Sequence, residues 1–383
     1  MPWMTQLHGT DGLGFGQRPL HQITIPGTHD AGCYVDHAFG NMLSRTQTQD
    51  VGHQLAGGIR YFDLRPYQAS YVGGREFWTF HGPYTGGRLD GPAGILAQVA
   101  NFLGALQATD RELVILNLSH FGWAMPFKDA DHQALIDALQ QILGDHLVPH
   151  TQAALNLFDA PYDTILTDAN GVTASRVAVL YDGALDQRRE AYVTANMASL
   201  PAGLFVLSPK YTPAANPIYL FDQYANTNDL AALQADQLTK LNNRANYPYS
   251  GVNEAWAQQA GNWTPNAAGG VNGTLHLFSW TLTPQPYSDP LTAANARSNP
   301  ALPRVFSVGD RVVRADGRVS ACAGQAWTAW NYVPGTDNQI NILYVDHYAS
   351  HRYVNLGSPF TGLAMPVAFA AQLNVGPVRP MTW

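Results

Sequence analysis

Four apolar runs in this chain end in ionisable side chains. Ile23-Thr24-Ile25-Pro26-Gly27-Thr28 ends in His29-Asp30, the run 59–64 in Asp63 and Arg65, the run 77–80 in His81, and the run 341–345 in Asp346. Two histidines, carboxylates and an arginine are the groups that phosphoryl transfer needs. One imidazole takes a proton from an attacking hydroxyl, the other protonates a leaving oxygen, and the planar guanidinium neutralises charge on the phosphoryl oxygens. Histidine suits both proton roles because its unperturbed pKa of about 6.5 lets it act in either form near neutrality. Asp63 and Arg65 are two apart on a strand and share a face, so Asp63 either holds the guanidinium or a substrate hydroxyl, or the two make a structural ion pair.

Groups so far apart in sequence meet only where the elements carrying them meet. A parallel α/β fold gathers the carboxyl ends of its strands on one rim, where its chemistry sits. The remaining pattern agrees. Residues 94–107 carry Ile95, Val99, Phe102, Leu103 and Leu106 at helical spacing, and residues 129–147 repeat this with Leu135, Ile136, Leu139, Ile142, Leu143 and Leu147, with Asp129 or Asp131 able to cap the start. Further strands are expected at 113–118, 164–166, 177–181, 204–207, 274–281 and 340–345. Strands alternating with helices of this length imply βαβ units, and their number, about eight, suffices to close a barrel.

Residues 1–21 read as a glycine-rich leader packed under that barrel. The excess length falls in two insertions. Residues 209–272 contain one helix, marked by Leu230, Leu233, Leu238 and Leu241, and residues 309–332 read as a β-hairpin around Ala315-Asp316-Gly317. A single domain over residues 1–383 is expected, with no internal repeat or linker.

Hydrophobic residues at 46% and charged residues at 13% describe a chain with ample core. A net charge of −7 and only three lysines, Lys128, Lys210 and Lys240, leave no basic footprint for nucleic acid. They also leave no polybasic patch for an anionic membrane, so membrane contact must be apolar or specific. Cys33 and Cys322 read as free buried thiols rather than a disulfide framework. No signal-peptide pattern and no membrane-span-length window is visible, which points to a cytoplasmic protein or to export by a route the sequence does not display.

Six segments in order carry a family likeness: Pro-Gly-Thr-His-Asp (26–30), Gly-Ile-Arg-Tyr-Phe-Asp-Leu-Arg (58–65), His-Gly-Pro (81–83), Glu-Leu-Val-Ile-Leu-Asn-Leu-Ser-His-Phe (112–121), Thr-Leu-Thr-Pro-Gln (281–285) and Val-Asp-His-Tyr (345–348). Together, over residues 20–350, they resemble the phosphatidylinositol-specific phospholipase C X domain, nearest to the bacterial single-domain enzymes and the animal X-domain-only proteins. The resemblance implies a distorted (β/α) TIM-type barrel that cleaves phosphatidylinositol-type lipids at a membrane surface, yielding diacylglycerol and an inositol cyclic phosphate. It implies His29 as general base oriented by Asp346, and His81 as general acid with Asp30 beside it and Arg65 on the phosphate. Calcium-dependent X domains have an asparagine after the first histidine and acidic residues at both positions matching Asp63 and Arg65. The guanidinium here therefore predicts catalysis without a metal.

Ser119-His120 stands where several bacterial relatives carry a lysine, so inositol recognition follows less directly than phosphodiester chemistry. His120 and His347 follow strand ends and are read either as substrate-binding groups at the pocket rim or as rim packing. His146 and His150 have Pro149 between them and no accompanying glutamate, so they read as a solvated helix end rather than a zinc site. The apolar loop 121–127 is either a membrane-inserting rim through Trp123, Met125 and Phe127 or a lid packed on the barrel mouth. Two rival functions remain: a glycerophosphodiesterase or sphingomyelinase D-type reaction on the same barrel, which relies on a glutamate-rich magnesium site, and a silent module binding phosphoinositides or glycans. The strand ends lack paired glutamates, and a binder has no need of two histidines.

Overall fold

The computed structural model describes residues 2–35, 44–71, 74–122, 127–182, 192, 195–207, 218–242, 274–283, 311–314, 319–321, 340–354 and 363–375. Trp123, Met125, Cys322 and most of the two insertions lie outside these. In chain order the strands are β1 (Ile25–Thr28), β2 (Tyr61–Leu64), β3 (Pro66–Tyr71), β4 (Gly74–His81), β5 (Tyr84–Arg88), β6 (Leu113–Leu118), β7 (Arg176–Asp182), β8 (Leu204–Leu207), β9 (Tyr219–Phe221), β10 (Thr274–Trp280), β11 (Arg311–Arg314), β12 (Val319–Ala321), β13 (Ile342–Val345) and β14 (His351–Val354). The α-helices are α1 (Trp3–His8), α2 (Val51–Ala56), α3 (Ile95–Gly104), α4 (Asp129–Leu143), α5 (Tyr162–Leu166), α6 (Leu230–Asn242) and α7 (Met365–Val375).

Eight strands form one sheet in the order β8-β7-β6-β2-β1-β13-β10-β9, and every adjoining pair runs parallel. A parallel bridge from Leu207, the last residue of β8, to Ile218, just before β9, ties the two ends of that order together. The result is a nearly closed α/β barrel. Strands covered on both faces show continuous apolar runs, and all six residues of β6 are buried.

Below the barrel, α1 covers the amino ends of β2 and β6, which gives the leader a short helix that its glycine content masked. Trp3 and Met4 are fully buried, and the Trp3 indole N–H donates to Gly58 O. Beside them Arg60 Nε and Glu112 Oε2 form a fully buried ion pair at 2.7 Å, and the backbone N–H and hydroxyl of Thr5 both donate to Glu112 Oε1. The carboxylate is thus satisfied on both oxygens, as a buried charge requires.

Two expected barrel strands are placed differently. Residues 164–166 belong to α5: Pro161 pre-sets the backbone before the first turn, and a three-residue apolar run does not by itself separate a buried strand from a buried helix. The run ending in His81 is β4, the centre of an antiparallel sheet β3-β4-β5 outside the barrel. The barrel takes β9 instead, from within the stretch read as an insertion. The expected hairpin forms, with β11 antiparallel to β12, and β14 pairs with the other edge of β11.

Candidate active site

Each parallel strand ends where the chain must turn outward, and the side chains at these turns face one another. Thr28, at the end of β1, anchors its hydroxyl on Gln54 Oε1, and His29 N–H donates to Val345 O on β13. The parallel register then sets Asp346 beside His29, with Nδ1 and Oδ1 2.8 Å apart. An ionised carboxylate only accepts, so the Nδ1 proton points to Asp346 and Nε2 faces the site. Nε2 lies 3.1 Å from both Asp30 Oδ2 and Arg65 Nη2, which pull on it in opposite senses: the carboxylate favours a proton there, the guanidinium a lone pair.

Arg65 follows β2 and is the hub of the cluster. Its Nε is 2.6 Å from Asp30 Oδ1 and its Nη2 is 3.4 Å from Asp63 Oδ2. Asp63 also accepts from Tyr344 OH at 2.6 Å, from Ser119 Oγ at 3.0 Å and from the backbone N–H of Asp30 at 3.3 Å. His81 reaches in from β4, its Nδ1 3.2 Å from Ser44 O and 3.4 Å from Asp30 Oδ2, and its ring centre is 5.7 Å from that of His29. His29, Asp30, Asp63, Arg65, His81 and Asp346 therefore form one constellation.

The charges perturb one another. Burial alone would depress the His29 pKa, but the Asp346 and Asp30 carboxylates and the hydrogen bond to Asp346 outweigh it, against Arg65, and raise it to about 9. Burial pushes Asp63 upward, yet Arg65, His29 and His120, with the Tyr344 hydrogen bond, bring it down to about 2. Arg65 is held still more firmly charged: desolvation opposes this, and Asp30 and Asp63 override it.

Three of the four non-glycine residues with positive φ among the described residues are Asp30 (42°), His120 (50°) and His347 (46°), each two residues beyond the end of a barrel strand. Such strained backbone concentrates at functional rims. The fates of the two histidines diverge. His120 is exposed at the rim, and its Nδ1 is 2.9 Å from Ser119 Oγ, which joins it to Asp63. His347 is buried, which agrees with rim packing and not with a substrate-binding group at the pocket rim. Its backbone N–H is held by Thr46 O, and burial keeps its pKa below the usual range against the pull of Asp346. The loop 44–47 covers it, which the order of residues along the chain does not show.

Phe127 is likewise not a membrane-facing side chain. It is buried in an aromatic cluster with Phe77, Phe121 and His132. Residue spacing also passed over Tyr344, Asp182 and Asp222. The last two end β7 and follow β9, repeating the pattern of an apolar run closed by a charge. Burial, then the Asp182 and Asp63 carboxylates, push Asp222 up to about 7.

His29, Asp30 and Asp63 each offer a ligand atom within 4.8 Å of one another, a set that could hold a metal ion. The Arg65 guanidinium is bonded into this same set. A fixed positive charge there repels a cation, and two carboxylates fall short of the 6–8 oxygens that calcium takes.

Fold and cluster together define a class, a parallel α/β barrel with paired imidazoles, carboxylates and a guanidinium on its strand-end rim. Sequence likeness is more particular. The chain is 29% identical over 173 residues to PI-PLC X domain-containing protein 3 of Danio rerio, covering 38% of this chain and 49% of that protein. It is 31% identical over 157 residues to PI-PLC X domain-containing protein 1 of Mus musculus, covering 34% and 43%, and 29% identical over 120 residues to 1-phosphatidylinositol phosphodiesterase of Listeria monocytogenes, covering 30% and 32%. The matches thus span less than half the length of these relatives. Among solved structures, phosphatidylinositol-specific phospholipase C from Staphylococcus aureus superposes with a TM-score of 0.52 at 13% identity over 96% of both chains. The enzyme from Listeria monocytogenes gives 0.52 at 15% identity over 97% of this chain and 96% of that one. At such identity the structural likeness concerns the fold. No protein-family profile matches the chain.

Proposed function

We propose that this chain is a phosphoric diester lyase of the phosphatidylinositol phospholipase C type. The observation that carries the reading is the convergence of two imidazoles, each beside a carboxylate, on one guanidinium: His29 with Asp346, His81 with Asp30, and Arg65 in contact with both Asp30 and His29. A phosphodiester seated on Arg65 lies between the two rings. His29 Nε2 in its neutral form takes the proton of the inositol 2-hydroxyl as that oxygen bonds to phosphorus. The bond from phosphorus to the diacylglycerol oxygen breaks, and protonated His81 supplies the proton the departing alkoxide needs. Asp346 stabilises the imidazolium formed at His29, and Arg65 the charge on the phosphoryl oxygens. Water opening the cyclic phosphate in a slower second step would use the same groups in reverse.

Phosphorus NMR of the protein with phosphatidylinositol vesicles tests the reading. A cyclic inositol phosphate signal is expected, whereas free lipid phosphate would indicate cleavage on the other side of phosphorus. Roles are separated by a leaving group that departs without a proton. With such a substrate His81→Ala is expected to recover and His29→Ala is not, and equal recovery would refute the assignment.

A further inference from the structure

The proposed general acid does not belong to the barrel. His81 stands on an antiparallel sheet, whereas Asp30, its carboxylate, stands on the loop after β1, so their separation depends on how sheet and loop dock. The docking surface is a β-bulge. Trp78 pairs with Arg88 and Phe80 with Thr85, which leaves Gly86 and Gly87 of β5 opposite the single residue Thr79 of β4. Bulges of this kind bend a strand and re-aim its side chains.

At this bulge the backbone of β5 meets the backbone of the loop after β1, and the Thr79 side chain packs into the contact. Gly87 N–H donates to Gly32 O at 2.7 Å, and the buried Thr79 hydroxyl donates to Gly87 O at 3.0 Å. A Cβ on Gly32 would come within 2.7 Å of Thr79 Cβ, and one on Gly86 within 2.6 Å of Gly32 O. Neither φ is positive, so close approach, and not backbone conformation, requires these glycines. Gly32 is two residues beyond Asp30, and Thr79 is two residues before His81 on the same strand face.

We propose that Gly32, Thr79 and Gly86 form a positioning clasp that sets His81 against Asp30 for proton donation to the leaving group. The inference rests on the phosphodiesterase reading. It assigns these three residues to one step, leaving-group protonation: Arg65 and His29 hold Asp30 on the barrel side, so a change in docking displaces His81 on its sheet rather than Asp30.

Gly32→Ala inserts a methyl into the clasp. Turnover of phosphatidylinositol is expected to fall on the order of 10²-fold, the scale of a misplaced catalytic group. An inositol phosphodiester with a p-nitrophenyl leaving group, which departs without protonation, is expected to keep most of its rate. The double variant Gly32→Ala/Thr79→Gly removes the clash but also the Thr79 hydroxyl bond to Gly87 O, so it is expected to regain part of the lost turnover, up to the level of Thr79→Ala. Should Gly32→Ala not fold, Thr79→Ala loosens the clasp by deletion and is expected to show the same dependence on the leaving group. Equal losses on both substrates, or undiminished lipid turnover, would overturn the proposal. A crystal structure of Gly32→Ala reads the positioning without substrate: the His81 Nδ1 to Asp30 Oδ2 separation is expected to widen beyond 3.4 Å, and an unchanged separation counts against the clasp. If the wild-type protein turns over neither substrate, the phosphodiesterase reading fails, and this separation still decides the positioning.

Discussion

His29 Nδ1 and Asp346 Oδ1 lie 2.8 Å apart on adjoining parallel strands, although 317 positions of chain separate them. The carboxylate is fully buried and the imidazole keeps one edge open to the site. Asp346→Asn keeps the shape, removes the charge and no longer dictates the Nδ1 proton. Turnover is expected to fall by about 10² to 10⁴-fold with an unchanged circular dichroism spectrum. A rate close to wild type would show that Asp346 only caps its strand.

The same pair sets a pH dependence. The His29 pKa rises from 6.5 in the unfolded chain to about 9 in the folded one. Its stabilising contribution, about 3 kcal/mol, is therefore complete below pH 6.5 and is lost as pH climbs through 9. Comparing urea unfolding of wild type and His29→Ala on either side of that window measures it. Because the base must be neutral, kcat/KM is expected to rise along a limb directed towards 9, and Asp346→Asn is expected to move the limb to lower pH. A limb that does not respond to Asp346→Asn would belong to another group.

Arg65 predicts independence from metal. Exhaustive dialysis against a chelator is expected to leave activity intact, because in the proposed mechanism the guanidinium, held among Asp30, Asp63 and His29, neutralises the phosphoryl charge. Loss on dialysis with recovery on adding calcium would refute that role. Arg65→Asp is expected to reduce metal-free turnover severely.

At the opposite end of the barrel, Arg60 and Glu112 are fully buried partners. Glu112→Ala strands the guanidinium and is expected to cost about 3–5 kcal/mol, whereas the double variant Arg60→Met/Glu112→Leu is expected to restore much of this. Thermal unfolding of the two variants makes the comparison, and equal destabilisation would count against the buried pair as the cause.

Much of this site was legible from residue order. Parallel strands buried on both faces show as apolar runs, so 113–118 and 204–207 matched β6 and β8, and helical spacing marked α3 and α4. The ionisable groups closing several runs flagged His29, Asp30, Asp63, Arg65, His81 and Asp346, which the structure brings together. The same rule applied to Ile218-Tyr219-Leu220-Phe221 would have found β9 and Asp222, but its surroundings of asparagine, glycine and proline read as an insertion.

What the sequence determined by itself is local: which runs are apolar, where they break, and which charges close them. Pairing partners are not local. The run ending in His81 has the composition of a barrel strand and lies in an antiparallel sheet, because its hydrogen-bond partners are β3 and β5. His347 and Phe127 have the composition of a rim and are buried, because the loop 44–47 and the Phe77, Phe121 and His132 rings cover them. The tertiary structure alone decided the protonation of the site. Coulomb interaction depends on distance through space, and burial on what packs above, so the rise at His29 and the fall at Asp63 come from groups brought near only when the strands close into a barrel.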